Sequence, residues 1–377
     1  MQNSKVDIRE VQSRSEINKF IKFPWKIYQN DKHWVPPLII ERKEFLDPKK
    51  NPFFDHSEVK LFLAYKDGAT VGRIAGIVNH NHNSFHGEKT GFFGLFESID
   101  DYIAAYGLFD KAKEFLKSKG MTIMRGPANF STNDEVGFLA EGFDAPPQIM
   151  MTYNPKYYLA LAEKFGFKKT KDLFAYYLST SHTLPEKVVK LIDQIKNRHK
   201  VTLRTLDMKN FKEEVAIIKN IYNDAWSKNW GFIPMTDEEF DHMAKQMKQI
   251  VDPDLVFLAF IDGEPAGFSL TLPNINEILI KLNGKLFPTG LLKLLYYSYY
   301  KKIVKSVRVI TMGMVLKHQR KGIDNLFHIE NLRVAREKGY RWGELSWVLE
   351  DNVMMNRVAE LVNAKVYKKY RIYEMEI

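Results

Sequence analysis

Strand-like alternation of apolar and polar residues occurs twice along this chain, in two stretches that match each other. Residues 63–72 (LAYKDGATVG) align with residues 258–267 (LAFIDGEPAG), and both stretches place apolar runs on either side of an Asp-Gly turn, a pattern typical of a β-hairpin. The same shift, 258 − 63 = 195 residues, aligns 6–11 with 201–206. Because solenoid repeats span only about 20–50 residues, this period predicts a duplicated domain.

Periodicity predicts an alternation of strands and helices in both copies. In the first copy the predicted elements are strands 6–11, 60–66, 71–78, 91–96 and 121–124, a helical region that carries Phe20, Ile21, Ile27 and Tyr28, helices 104–119 and 154–165, and loops over 34–54 and 79–86. In the second they are strand 201–206, helix 210–226, hairpin 255–271, an insertion at 275–305, strand 307–316, helix 324–338, strand 342–349, helix 353–363 and strand 366–376. This order predicts an α/β fold with sheets covered by helices. The predicted domains are 1–180 and 201–377, with a linker over 181–200 that contains a charged helix.

Composition excludes several classes of function and favours a class of partner. The chain of 377 residues has no cysteine, which excludes disulfides, thiolate metal sites and a cysteine nucleophile. Residues 1–5 lack the apolar region of a secretion signal, and no uncharged apolar run is long enough to span a bilayer, so we expect a cytoplasmic protein. The net charge of +10 favours anionic partners such as nucleotide phosphates, acidic lipid or nucleic acid, although lysine-rich surfaces are often simply solvated.

A basic turn in the second copy has the features of an anion site. The sequence Lys317-His318-Gln319-Arg320-Lys321-Gly322-Ile323-Asp324-Asn325 joins a predicted strand to a predicted helix. Helix N-termini present unpaired N–H groups and a positive dipole end to an anion. The alternative is an ordinary turn with Asp324 as the helix N-cap. The first copy has the acidic sequence Glu97-Ser98-Ile99-Asp100-Asp101 at this point, so an anion site is expected in the second copy only.

This turn, with the order of the elements, resembles the GNAT superfamily of acyl-CoA-dependent N-acyltransferases. Gln319-Arg320-Lys321-Gly322-Ile323-Asp324 matches the superfamily motif at Gln319 and Gly322 and departs from it at Asp324. Trp34-Val35-Pro36-Pro37 and Asn51-Pro52-Phe53-Phe54 resemble tandem-GNAT bacterial proteins of the YghO type. The resemblance implies two tandem GNAT-like domains, each with a mixed, mostly antiparallel central sheet flanked by helices, the first of them without a phosphate turn.

The resemblance also implies acetyl-CoA or a longer acyl-CoA as co-substrate. The pantetheine arm would pair with the strand end and the pyrophosphate would bind the turn; the residues implied are Met314, Val315, Gln319, Arg320, Lys321, Gly322, Ile323, Asp324, Asn325 and Asn352. Asp324 would repel a phosphate, but the basic residues around it offset that repulsion. Ala359 stands where the superfamily has a tyrosine general acid, so water or another group must protonate the leaving thiolate. Candidate bases are Glu344, Glu350 and His318.

Two further segments bear on the acceptor. Asn129, Asn133, Asp134 and Glu135 follow a short buried strand of the first copy and are candidates to bind an acceptor's amine or hydroxyls; the alternative is a loop that caps itself. Residues 286–305 are apolar and tyrosine-rich with few polar positions, so this segment is either buried or in contact with a membrane surface or acyl chain. His80 and His82 lack a supporting carboxylate, and a polar loop rather than a metal site is predicted there.

These observations lead to one hypothesis and two alternatives. We expect an N-acyltransferase whose second copy binds acyl-CoA and which acylates a hydrophobic or lipid-like amine, with no metal and no nucleic-acid partner. It would be cytoplasmic, or peripheral to the inner membrane face. The first alternative is a non-catalytic GNAT-fold protein that binds a ligand or a membrane surface. The second is an aminoacyl-tRNA-dependent transferase of the Fem type, which would suit the positive charge.

Overall fold

The computed structural model describes residues 5–183 and 186–377. Most of the predicted N-terminal stretch 1–5, together with Leu184 and Pro185 of the predicted linker, lies outside the described residues. Contacts divide the chain into two compact units. Unit 1 comprises the described residues up to Leu173 with Leu279–Leu294 and Lys368–Ile377, and unit 2 comprises Phe174–Ile278 and Leu295–Tyr367. Each unit is therefore discontinuous in sequence. The division into domains 1–180 and 201–377 with a linker over 181–200 stays a prediction.

Strands and helices alternate through both halves of the chain. Up to Ser179 the elements are β1 (Asp7–Glu10), α1 (Arg14–Lys22), α2 (Pro24–Ile27), α3 (Ile39–Phe45), β2 (Ser57–Lys66), β3 (Ala69–Asn79), α4 (His80–His86), β4 (Thr90–Ser98), α5 (Tyr102–Ser118), β5 (Ile123–Gly126), β6 (Ala128–Asn129), β7 (Glu135–Val136), β8 (Phe138–Glu141), α6 (Tyr157–Phe165) and β9 (Lys168–Ser179). From Glu186 they are α7 (Glu186–Arg198), β10 (Val201–Thr205), α8 (Phe211–Trp226), α9 (Asp237–Met247), β11 (Val256–Ile261), β12 (Glu264–Pro273), α10 (Asn276–Leu282), α11 (Gly290–Leu295), β13 (Ser306–Met314), α12 (Asn325–Glu337), β14 (Trp342–Leu349), α13 (Val353–Leu361) and β15 (Lys365–Glu376).

The two units contain sheets of the same plan. In unit 1 the strand order is β1-β2-β3-β4-β5-β15, and in unit 2 it is β10-β11-β12-β13-β14-β9. Neighbours among the first four strands of each order pair antiparallel, and the fourth and fifth strands pair parallel. The expected mixed, mostly antiparallel sheet is therefore confirmed. β9 and β15 each complete a sheet whose other strands come from the other half of the sequence.

The hairpin turns show how local sequence sets the register in both copies. Asp67 and Gly68 adopt φ values of +51° and +77°, and Asp262 and Gly263 adopt +51° and +85°. Two consecutive positive φ values define the two-residue turn whose twist matches that of antiparallel strands, and Asp-Gly is among the pairs that adopt it. The equivalent turns place Gly72 opposite Ser98 in unit 1 and Gly267 opposite Met314 in unit 2.

Apolar faces of the helices cover these sheets. In unit 1, α5 packs Leu108, Phe109 and Leu116 against a core that includes Phe93 and Tyr158, all with at most 1% of their surface exposed. In unit 2, α12 contributes Leu326, Phe327, Val334 and Ala335 to a core with strands β11, β12 and β13. The buried side of α12 therefore fixes the helix whose N-terminus follows the basic turn.

Several predicted elements differ from the structure. The proline-rich stretch 34–54, predicted as a loop, contains α3, because Leu38 provides an extended residue from which a helix can start after Pro36-Pro37. The polar loop predicted at 79–86 is the helix α4, since Asn79 caps it by accepting a hydrogen bond from the His82 N–H and Gly87 ends it at φ +66°. Helices α9, α10 and α11 and strands β6, β7, β8 and β9 have no counterpart among the predicted elements.

Buried histidines make the fold sensitive to acid. His328 on α12 is 8% exposed, and burial lowers its pKa to about 4. No described residue bonds its buried Nε2 atom. The unfolded chain therefore binds this proton more readily than the folded chain, and stability is lost as pH falls from about 6.5 towards 4.

We predict that His328→Leu removes this loss. The free energy of unfolding, measured by urea titration at neutral pH and at pH 4, should fall less in the variant than in the wild type, by about 3 kcal/mol. His242→Leu on α9, where the side chain is half-buried, is the control. An equal decline in His328→Leu and wild type would show that His328 is not protonated on unfolding.

Candidate active site

The ladder between β13 and β14 ends before either strand does. The parallel pairing runs from Ser306–Trp342 to Val309–Leu345, whereas β13 continues to Met314 and β14 to Leu349. On its other edge β13 stays paired with β12 as far as Met314, across a bulge at Ile310. The last five residues of β13 therefore have one edge without a β14 partner in the described part of the chain. Backbone groups on such an edge can pair with an extended ligand.

The basic turn follows this open edge directly. Val315 donates its N–H to the Ala266 carbonyl (2.9 Å), a 3₁₀ turn covers Leu316–His318, and α12 starts at Asn325. Between them Arg320 and Gly322 adopt φ values of +60° and +73°.

Left-handed residues in such a turn direct successive N–H groups to the same side, which is the geometry of an anion-binding concavity. The N–H groups of Arg320, Lys321, Gly322 and Ile323 have no acceptor among the described residues. The turn therefore presents unsatisfied donors immediately before a helix N-terminus, as an anion site requires.

Helix α8 holds the turn in place. The Leu316 N–H donates to Asp224 Oδ2 at 2.6 Å, and the Gln319 side-chain Nε2 donates to the carbonyls of Ala225 (3.1 Å) and Met314 (3.0 Å). The Gln319 backbone N–H donates to Leu316. The Gln319 side chain therefore links the end of β13 to α8. Its backbone N–H is already hydrogen-bonded and is not one of the groups open to an anion.

The electrostatic field of the turn is positive. Lys317 and Arg320 are exposed and have no ion-pair partner in the described part of the chain. Lys321 Nζ lies 3.2 Å from His318 Nδ1, and burial, followed by the charges of Lys321 and Lys317, lowers the pKa of His318. Burial raises the pKa of Asp324, with the N–H groups of Asp324 and Asn325 acting in the opposite direction.

A buried polar cluster lies where the two strands separate. Glu344 on β14 is fully buried and pairs in register with Arg308 on β13, which is 2% exposed. Glu344 Oε1 accepts a hydrogen bond from Ser346 Oγ (2.6 Å) and lies 3.5 Å from Arg308 Nε, while Oε2 accepts from the Tyr367 hydroxyl. Arg308 Nε also donates to Ser346 Oγ (2.9 Å). Because Ser346 is the first residue of β14 beyond the ladder, the cluster borders the open edge.

The other residues of unit 2 that the sequence predicts for the site make structural contacts or line the strand end. Asn352 caps α13 by accepting the Met355 N–H at 3.2 Å. The Glu350 carbonyl accepts from Asn356 Nδ2 at 3.2 Å. The Val315 N–H is bonded to Ala266 and the Met314 carbonyl already accepts a hydrogen bond from Gln319 Nε2, so pairing of these two residues with a pantetheine arm stays a prediction. Ala359 is buried and has no hydroxyl, in keeping with the missing general acid.

The equivalent strands of unit 1 also separate, but the chain itself fills the space. β4 and β5 pair only from Thr90 to Phe92, and β3 and β4 share a register shift like that of the second copy. Asn129 Oδ1 accepts the Leu95 N–H at 2.7 Å, and a Cβ atom on Gly94 would overlap the Ala128 carbonyl oxygen. The short strand β6 thus covers the β4 edge whose counterpart on β13 is open.

The helix that follows β4 is also satisfied internally. Asp101 caps α5 by accepting the N–H groups of Ile103 (2.8 Å) and Ala104 (3.4 Å), and it pairs with Lys66 Nζ at 2.7 Å. A carboxylate therefore occupies the place where an anion would bind, as the acidic sequence of the first copy indicates.

The predicted acceptor residues contact one another in unit 1. Asn129 Nδ2 donates to Glu135 Oε2 at 2.9 Å. The loop between them is held by Ser131, whose hydroxyl donates to Asp134 Oδ2 (3.0 Å) and accepts the Asn133 N–H (3.1 Å). These bonds are those of a self-capped loop, and acceptor binding by these residues stays a prediction.

Three residues of the site were missed from sequence. Tyr367, Arg308 and Asp224 each lie far along the chain from the residue they contact. The sequence gives a partial signal for a partner of Glu344. Glu344 and Ser346 share one face of a strand, and a buried carboxylate requires a basic or hydroxyl partner. Which strand supplies that partner depends on the register. Among the described residues no group of histidines and carboxylates is arranged to hold a metal ion.

Comparison of structures defines the class of protein. A tandem GNAT protein from the clavulanic acid biosynthesis pathway aligns with a TM-score of 0.57 and 11% sequence identity, covering 99% of this chain and 98% of that one. With the repeated sheet plan and the separated strands, this likeness shows a tandem GNAT fold. No family model matches the sequence.

Full-length relatives then define the family. The bacterial ceramide synthase of Caulobacter vibrioides is 39% identical over 377 residues, covering 99% of this chain and 98% of that protein. The protein YghO of Escherichia coli is 38% identical over 375 residues, covering 98% and 95%. The chain belongs to the family of tandem GNAT-fold proteins that contains these two.

Proposed function

We propose that the protein is an N-acyltransferase that moves an acyl group from CoA to the amine of a long-chain, lipid-like acceptor. The observation that carries the proposal is the open edge of β13 followed by a turn whose N–H groups and exposed basic side chains, Lys317 and Arg320, have no partner among the residues that the structure describes. The relative named bacterial ceramide synthase supports an acceptor of this kind, because a ceramide is the N-acyl derivative of a long-chain amino alcohol.

The residues that would hold the co-substrate are those whose backbone groups have no partner among the described residues. The N–H groups from Arg320 to Ile323 fit a pyrophosphate, with Lys317 and Arg320 supplying positive charge. The open edge around Met314 fits the amide groups of a pantetheine arm. Bound CoA thioester would supply an activated acyl group. We also propose that the protein works at the face of a membrane, because a long-chain amine is held there.

Glu344 is the proposed general base. In the reaction the acceptor nitrogen forms a bond to the thioester carbonyl carbon, the carbon–sulfur bond breaks, the amine loses a proton and CoA leaves as the thiol. Glu344 is placed beside the point where the strands separate, and Tyr367 and Ser346 fix its orientation by hydrogen bonds. Arg308 at 3.5 Å supplies the positive charge that a buried carboxylate requires. Water is the proposed proton donor to sulfur, since Ala359 has no proton to give.

One alternative is favoured by a specific observation. Ala359 in place of a general acid fits a protein that binds a thioester or a lipid without turning it over. That protein would use the same turn and the same open edge, and it would differ only in the absence of product.

Product formation tests the proposed function. We expect the protein to release CoA thiol from palmitoyl-CoA in the presence of sphinganine and to form the N-acyl product, measured by mass spectrometry. Ethanolamine, which has the amino alcohol but no chain, should react with kcat/KM at least tenfold lower.

The variant Glu344→Gln tests the general base. It keeps the shape of the side chain and should lower kcat by about a hundredfold or more, with little change in thioester affinity. Thioester binding without product from any long-chain amine would favour the binding protein.

Gly322 tests the co-substrate site separately. Its φ of +73° disfavours a side chain, and a Cβ atom would lie 3.1 Å from Ile195 Cδ1. Gly322→Val should therefore weaken CoA binding at least tenfold, measured by calorimetry. Gly339→Val is the matched control, because Gly339 has a φ of +81° with no atom within 4 Å of the added Cβ. Equal CoA affinity in the two variants would mean that the turn does not bind the co-substrate.

A further inference from the structure

The apolar side of one helical segment faces solvent. The segment consists of α11 and the π-helical turn Tyr296–Tyr300 that continues it. Its large exposed side chains are Leu291, Leu292, Leu295, Tyr296, Tyr299 and Tyr300, and Tyr299 and Tyr300 are 77% and 76% exposed. Gly290 is buried, and Leu294 and Tyr297 are half-buried. These positions recur at helical spacing, so the exposed residues share one side of the helix.

An ordinary surface helix buries an apolar side and exposes a polar one, whereas this segment has apolar residues on its buried side and exposes large apolar side chains as well. Phe287, just before the helix, is 62% exposed, and Leu292 is 68% exposed. Single exposed apolar residues are normal, whereas a contiguous group of them marks a surface that binds something apolar.

The charge of the surrounding sequence indicates what that partner is. Residues 278–323 contain no aspartate or glutamate, and besides Arg308, which is buried beside Glu344, they contain nine basic residues, namely Lys281, Lys285, Lys293, Lys301, Lys302, Lys305, Lys317, Arg320 and Lys321. Lys293, Lys301 and Lys302 are exposed. Lys301 Nζ lies 5.9 Å from the ring centres of both Tyr296 and Tyr300, so basic and aromatic groups adjoin.

We propose that residues 285–302 form a docking surface for an anionic lipid bilayer. Tyrosine suits the interface between lipid tails and water because its ring is apolar and its hydroxyl stays hydrated, and lysines beside it are attracted by acidic headgroups. A second copy of the chain is a poorer partner, since a twofold contact would bring together two surfaces of the same positive charge. No helix in the described part of the chain is long and apolar enough to cross a bilayer. The proposal stands on this surface and does not depend on acyl transfer.

Vesicle co-sedimentation without thioester or acceptor tests the proposal. The wild type should bind vesicles of phosphatidylglycerol and phosphatidylcholine at low salt, bind pure phosphatidylcholine only weakly, and lose binding as salt is added. Lys301→Gln with Lys302→Gln should weaken binding to the anionic vesicles about twenty-fivefold, because each lysine contributes about fivefold. Tyr299→Ser with Tyr300→Ser should weaken it at least tenfold.

Ile103→Ser with Leu191→Ser is the matched control, because these residues are 55% and 56% exposed on other helices. The control pair should bind vesicles as the wild type does. Absence of wild-type binding to anionic vesicles would overturn the proposal, and so would an equal loss in the control pair. A concentration-dependent dimer that Tyr299→Ser with Tyr300→Ser abolishes, without vesicle binding by the wild type, would assign the surface to a second copy. The salt dependence of the wild type needs no variant and decides the electrostatic part alone.

Discussion

The early end of the ladder between β13 and β14 is the constraint on which the rest of the candidate site depends. Pairing stops at Val309 and Leu345 while both strands continue, which leaves one edge of β13, from Ile310 to Met314, without a strand partner in the described part of the chain. The basic turn follows the separated end of β13, and the buried cluster around Glu344 lies beside the point where the strands separate. A full-length ladder would satisfy these backbone groups internally and leave no edge for a ligand.

The two copies show how a duplicated fold can keep a site in one half only. β4 separates from β5 as β13 separates from β14, but Asn129 accepts the Leu95 N–H and β6 fills the space. Asp101 satisfies the helix N-terminus that follows. In both places the first copy provides an internal acceptor, whereas the corresponding N–H groups of the turn in the second copy have none among the described residues. The difference lies in a few side chains rather than in the sheet.

Local sequence was sufficient for the elements but not for the contacts between them. Asp-Gly turns and apolar periodicity predict most of the strands and helices, and the shift of 195 residues predicts the duplication. The short helix α4 was missed because its polar sequence has no apolar face, and its caps are the only local signal. β15 shows a further limit: its strand character is local, whereas its pairing with β5 joins residues about 250 positions apart. For the site, the basic turn was visible in sequence, but Tyr367 and Asp224 depend on register and tertiary packing.

The number of CoA thioester molecules bound per chain tests the central claim most directly. Calorimetric titration of the full-length protein with a non-hydrolysable palmitoyl-CoA analogue should give one site per chain. Asn129→Ala should leave that number at one, because Ala128 still fills the space beside Gly94. Two sites in the wild type would contradict the claim that the first copy is closed by its own residues. One site that Gly322→Val leaves unaffected would contradict its assignment to the second copy.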